Sequence, residues 1–332
     1  MRQLGIALTV LGLWQLKPAA VAAWHNAGHM TIARIAYQEL SEPQRLLAWK
    51  WLKAHPHYAR YLAADRPKEI TEGEWAFMRA ATWPDWVRPQ RPPRADEEEL
   101  VKRYHRGVWH YINFPLVLPG SENVKVPPGL PPPDLDVQGE PGHVLAALKK
   151  CVTVLRSADA SDESKGIFLC WLLHLVGDLH QPLHATTLIS KQFPQGDLGG
   201  NLFLVSLKQG GPAVGLHFYW DALLFEDNAP FKDIEAKAAQ LRRAEEFRRD
   251  RLPELKAVDF KAWADESFEL ARTVVYKNGQ LKGARKGKGG EAVKAPLVPE
   301  GYQREAARVA ERRMVLAGYR IADQLAPILK KP

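Results

Sequence analysis

Cysteine is nearly missing from this chain: Cys151 and Cys170 are the two among 332 residues. Two thiols are too few for a zinc ribbon or a scaffold built on disulfides. Both lie in apolar, helix-like segments, so a single disulfide and a pair of buried free thiols are equally open readings. Past the first few residues there is also no apolar run long enough to span a bilayer. No internal repeat and no break in composition divides the chain. With 46% of residues hydrophobic and 25% charged, it can bury one large core.

The N-terminus reads as a leader. Arg2 precedes an apolar run from Leu4 to Leu13, too short for a membrane anchor. Val21 and Ala23 are small residues at the spacing a signal peptidase needs. Residues 1–23 are therefore expected to be a signal peptide, and 24–332 the mature domain of a secreted or periplasmic protein. Losing Arg2 and Lys17 lowers the net charge from +8 to +6. That excess suits a polyanionic substrate, and it suits solubility alone equally well.

Apolar residues recur at helical spacing from about 26 to 40, through 41–80, from about 142 to 156, over 229–276 and from about 303 to 329. Residues 89–100 and 119–141 read as exposed loops, and 282–290 as a basic, glycine-rich loop. Leu202 to Leu207 and Pro212 to Leu216, split by Gln209-Gly210-Gly211, predict a β-hairpin. The expected fold is all-α: one mainly helical domain with a short hairpin near residues 202–216.

The chemistry concentrates in Leu172-Leu173-His174-Leu175-Val176-Gly177-Asp178-Leu179-His180-Gln181-Pro182-Leu183-His184. The residues leading into it have no polar stripe, as in a buried helix. His174 and Asp178 are i and i+4 and share one face of it. An ionised carboxylate there is costly unless it is paired or binds a metal. Pro182 ends or bends the helix, and His184 follows the bend. A second i, i+4 pair, His217 and Asp221, stands in Leu216-His217-Phe218-Tyr219-Trp220-Asp221. His29 lies near Trp24, whose α-amine would be terminal after cleavage and could chelate a metal together with its own carbonyl. Asp85 sits between Trp83 and Trp86, and His110 in an apolar, aromatic stretch. Taken singly, each is as well explained by a cap or a core hydrogen bond. Together they are nitrogen and oxygen donors without thiolates, a set that suits hydrolytic rather than structural zinc.

These motifs, in this order, resemble the secreted single-strand-specific zinc nucleases of the S-one/P-one and mung bean nuclease group. The match runs from Trp24 with Gly28-His29, through Trp83-Pro84-Asp85 with Arg88 and Trp109-His110-Tyr111-Ile112-Asn113. It continues over His174 to His184, Gly199-Gly200-Asn201 and Leu216-His217 to Trp220-Asp221, and ends on Ala317-Gly318-Tyr319-Arg320-Ile321-Ala322. The resemblance implies three zinc ions. One would be held by Asp85, His110, His174 and Asp178, and a second by His184, His217 and Asp221. A third would use the amine and carbonyl of Trp24 with His29, sharing Asp178. It implies catalytic parts for Asp85, Asp178, Arg88 and Asn201, with Arg88 and Asn201 on the phosphate and Tyr111 and Asn113 in a base pocket. It further implies cleavage of single-stranded DNA and RNA to 5′-nucleotides, with removal of 3′-phosphates, by hydroxide that zinc supplies. A monomer without a membrane anchor is expected. His25 stands where the group commonly has a small residue, and Asn113 where it often has a carboxylate. A zinc-dependent phospholipase C is the alternative, related in fold and in its N-terminal Trp ligand. Asp221 in place of a final glutamate and the Gly-Gly-Asn upstream favour the nuclease.

Overall fold

The computed structural model describes residues 24–225, 229–285 and 293–330. The expected signal peptide, 1–23, lies outside the described residues, as do 286–290 of the basic loop. Eleven α-helices occur among the described residues. They are α1 Asn26–Glu39, α2 Glu42–Lys53, α3 Glu72–Ala80, α4 Trp83–Trp86, α5 Glu97–Tyr104, α6 Val144–Arg156, α7 Asp162–Leu179, α8 Leu216–Asp221, α9 Phe231–Arg243, α10 Phe260–Leu270 and α11 Tyr302–Ile328. None is long and apolar enough to cross a membrane.

Local chemistry sets the helix starts. Ser41 and Gln44 cap α2 reciprocally, with the Ser41 N–H on Gln44 Oε1 at 2.8 Å. Thr71, Ser161 and Asp259 cap α3, α7 and α10 by accepting from the third residue on. The apolar run in α7 makes it the central helix. From Leu169 to Leu179 every residue is buried, and α1, α2, α6 and α11 pack around it. Cys151 and Cys170 are both buried free thiols, which settles the open reading; burial holds both thiols up in pKa, so they stay protonated.

The predicted hairpin forms as β3 Phe203–Ser206 and β4 Ala213–Gly215, antiparallel with Leu204 opposite Gly215, and β5 Ala284–Arg285 adds to its other side. A further pair escaped the sequence reading. β1 Phe114–Val117 lies parallel to β2 Thr186–Ile189, with Phe114 opposite Thr186. Each strand comes soon after a 3-10 turn: β2 directly on Pro182–Ala185, and β1 after Gly107–His110 with three residues between. The pair therefore fixes where His110 and His184 stand. Two boundaries also differ. α5 begins inside the stretch read as a loop, and 54–71 is irregular apart from one π turn at Tyr58–Leu62.

Gly318 lets α1 and α11 approach closely. A Cβ there would fall 2.6 Å from Ile35 Cγ2 and 3.1 Å from the Ile32 carbonyl oxygen. Gly318→Ala is expected to lower the melting temperature by a few degrees. Overpacking of ~1–3 kcal/mol outweighs the up to ~1 kcal/mol that helix propensity returns. A raised melting temperature would mean that the helices separate at little cost.

Candidate metal centre

Six elements converge on one buried cluster of imidazoles and carboxylates. α1 supplies His29, α4 Asp85, the 107–110 turn His110, α7 His174 and Asp178, the 182–185 turn His184, and α8 His217 and Asp221. All eight are buried. Three sets have donor atoms within 4.8 Å of one another: His29, His174 and Asp178; Asp85, His110 and His174; and His184, His217 and Asp221. Asp178 ties the sets together. Its carboxylate lies 3.2 Å from His29 Nε2, 2.9 Å from His110 Nδ1, 3.2 Å from His174 Nε2 and 4.0 Å from His184 Nδ1.

Backbone carbonyls aim three of the rings. His174 Nδ1 donates to the Ala81 carbonyl at 2.8 Å, His184 Nδ1 to the His110 carbonyl at 2.7 Å and His217 Nδ1 to the Gly199 carbonyl at 2.6 Å. A carbonyl only accepts, so each Nδ1 carries the proton, and in the neutral rings of His184 and His217 Nε2 presents a lone pair. The Nε2 atoms of His184 and His217 then face each other at 3.1 Å. Two lone pairs at that distance repel, and a cation between them removes the conflict. Other buried atoms point the same way. Both ring nitrogens of His29, His110 Nε2, Asp85 Oδ2 and Asp221 Oδ2 accept or donate no hydrogen bond. Buried polar atoms are rarely left so. Rings aimed by carbonyls with Nε2 turned inward are the arrangement of metal-binding histidines.

The charge states agree. Burial would raise Asp178, but His174, His110 and His29 overcome it and hold the carboxyl well below its usual range. For Asp85 burial is likewise overcome, by Arg88 and then His174 and His110, and its pKa is lowered; Arg88 Nε is 2.9 Å from Asp85 Oδ1. Burial lowers His29 and His184, and takes His110 and His217 down to about 3. These are neutral imidazoles, as metal ligands must be. His174 is raised, because Asp178 and Asp85 outweigh its burial. Asp221 is pushed well above the carboxylate range by burial.

The remaining residues singled out in the sequence stand near the cluster's residues in the chain or bond to their segments. Trp24 is fully buried, and its indole donates to the Gly177 carbonyl at 3.1 Å. Tyr111 and Asn113 are half-buried and follow His110 into β1. Asn201 spends its amide N–H on the Leu198 carbonyl at 2.7 Å, inside the glycine turn that brings Gly199 to His217. His25 is buried, and its backbone N–H donates to the Asp221 carbonyl at 3.2 Å. Sequence reasoning passed over two residues. Gly177 has no room for a side chain, since a Cβ would fall 2.8 Å from His29 Nδ1; a glycine inside an apolar helix was the available signal. Gln181 is fully buried, donates to Asp221 Oδ1 at 2.7 Å and accepts from the Leu183 N–H at 2.6 Å. It turns the other Asp221 oxygen towards His217, 3.5 Å away.

A family model described as S1/P1 Nuclease matches residues 24–330. Endonuclease 5 of Arabidopsis thaliana is 27% identical over 343 aligned positions, which cover 96% of this chain and 94% of that protein.

Removing an outer partner of a metal ligand usually costs about 10- to 100-fold in metal affinity. Gln181→Ala is therefore expected to weaken metal binding by that factor at the His184, His217 and Asp221 set, read by competition with a chromophoric chelator. Unchanged affinity would show that Asp221 needs no support.

Proposed function

The chain belongs to the S1/P1 nuclease family, and we propose that it is a secreted zinc-dependent phosphodiesterase. In this reading it cleaves single-stranded DNA and RNA to 5′-nucleotides and removes 3′-phosphates. The observation that carries the reading is the cluster itself: three donor sets, joined through Asp178 and His174, in a family of nucleases. Asp85, His110, His174 and Asp178 would hold one zinc ion, and His184, His217 and Asp221 a second. The amine and carbonyl of Trp24, with His29 and Asp178, would hold the third. That the family match begins at Trp24 supports removal of residues 1–23. When bound, such ions supply positive charge to a phosphate and make water nucleophilic at neutral pH.

The chain's own residues do the rest. Asp85 fixes Arg88 through Nε, which brings a guanidinium to the edge of the cluster where a phosphate would lie. Asn201, in the glycine turn that reaches His217, would contact the same phosphate. Tyr111, next to His110, gives a base a ring to stack on, and Asn113 offers its amide to a base edge. Stacking of this kind needs an unpaired base, which a duplex does not present. Preference for single strands then follows from access to the ring, with no reading of sequence.

Protein beginning at Trp24 and loaded with zinc is expected to release acid-soluble nucleotides from heat-denatured DNA, and a chelator should abolish the release. No release by the folded, zinc-loaded protein would overturn the reading. Asp178→Asn, which alters the carboxylate that in this reading bridges two of the ions, should lose zinc and more than about 100-fold in rate, beyond what outer partners usually cost. Near-normal turnover would remove Asp178 from the centre. One extra residue before Trp24 should impair zinc binding, and an equally active extended protein would strike Trp24 from the ligands.

A further inference from the structure

The described surface carries few large exposed apolar side chains, and Phe218 is the one aromatic among them, at 50% exposure. Single exposed apolar residues are ordinary; the surroundings of this one are not. It directly follows His217, just as Tyr111 directly follows His110. Its ring meets the ring of buried His25 edge-on, with centroids 5.4 Å apart and planes at 69°. A ring backed in this way is held in one orientation while its outer part stays open. Leu198 belongs to the turn that serves His217. It is 56% exposed and has a left-handed backbone, φ +56°, which a bulky residue adopts only under constraint. The constraint is the turn: the next residue, Gly199, receives His217 Nδ1, and Gly200 receives the His217 backbone N–H at 3.3 Å. Phe218 follows His217 in the chain and Leu198 precedes the Gly199 acceptor of its ring, and both side chains stay exposed.

We propose that Phe218, backed by His25, is a second base platform. It stacks the base of the nucleotide on the 3′ side of the scissile phosphate, the one that leaves with the 5′-phosphate. Tyr111 serves the base on the other side. The inference rests on the nuclease reading above. A phosphate lying on the cluster has a nucleoside on each side, and two of the three donor sets, those of His110 and His217, have an aromatic neighbour to receive one. His25 gains a function here: it fixes the Phe218 ring, as a small residue in its place would not.

The test compares a single-stranded oligonucleotide with a 3′-mononucleotide, which has no base on the 3′ side of its phosphate. Base stacking of ordinary strength predicts that Phe218→Ala lowers the ratio of kcat/KM for the oligonucleotide to that for the mononucleotide. The fall should be roughly 5- to 100-fold, carried by KM. Phe218→Trp should restore the ratio, and zinc content and melting temperature should match the parent for both variants. An abasic residue 3′ of the cleaved linkage should cost the parent affinity and cost Phe218→Ala nothing further. An unchanged ratio overturns the proposal. Equal losses on both substrates, or loss of zinc, overturn it too, because Phe218 then acts by supporting His217. If the parent itself cleaves neither substrate, the nuclease reading fails first, and the outcomes stay distinct.

Discussion

A carboxylate buried in the middle of an apolar helix governs this structure. Asp178 sits on the central helix α7 without exposure to water. Alone in such a place it would be protonated or the helix would not pack. Three imidazoles brought in from α1, from the turn before β1 and from α7 itself keep it charged. The packing around α7 therefore has to deliver side chains at specified points as well as exclude water. The glycines at the contacts show how tightly this is met. Gly177 leaves His29 the space it needs, and Gly318 lets the helix that bears His29 approach α11.

Around that centre, accuracy comes from partners that carry no charge. The Ala81, His110 and Gly199 carbonyls aim three rings, and the Gln181 amide aims Asp221. Two of these carbonyls belong to segments that are themselves part of the centre: the His110 carbonyl holds His184, and the glycine turn holds His217. Displacing one donor set therefore moves the acceptor of the next. The cluster is a single mechanical unit, and pairwise energies for its members would not add.

Much of this was legible in the residue order. The unstriped run into His174 marks a buried helix, and two His–Asp pairs at i, i+4 put donors on common faces of α7 and α8. The hairpin near 202–216 and the long last helix follow from turn residues and apolar spacing, and the structure has both. What escaped were features whose cause lies elsewhere in the chain. β1 and β2 are four residues each and exist because each completes the other, a pairing that periodicity within either stretch does not contain. Gln181 reads as a polar residue at a helix end until Asp221, forty positions later, supplies its partner. Residues 97–100 read as the end of a proline- and arginine-rich loop, yet α5 begins at Glu97, and its Leu100 and Tyr104 find the core. The thiol question was open for the same reason. Two cysteines in apolar segments are compatible with a bridge, and only their separate places in the packed core decide against it.

The centre draws on residues from 29 to 221, so it does not exist until the chain has closed. An unfolded chain offers the same donors scattered, with much lower affinity for a cation. Any metal that binds the assembled set stabilises the folded state by mass action. Without a cation the fold must bear Asp221 protonated, two lone pairs opposed at 3.1 Å between His184 and His217, and ring nitrogens with nothing to bond. These are costs of the folded state alone, and the apolar core around α7 has to offset them. The same atoms that make the site expensive without a cation make it selective for one. The oversized apolar surround of α7 is thus part of the chemistry: it provides the surplus of stability that lets so many poorly satisfied groups stand together before the ligand they are shaped for arrives.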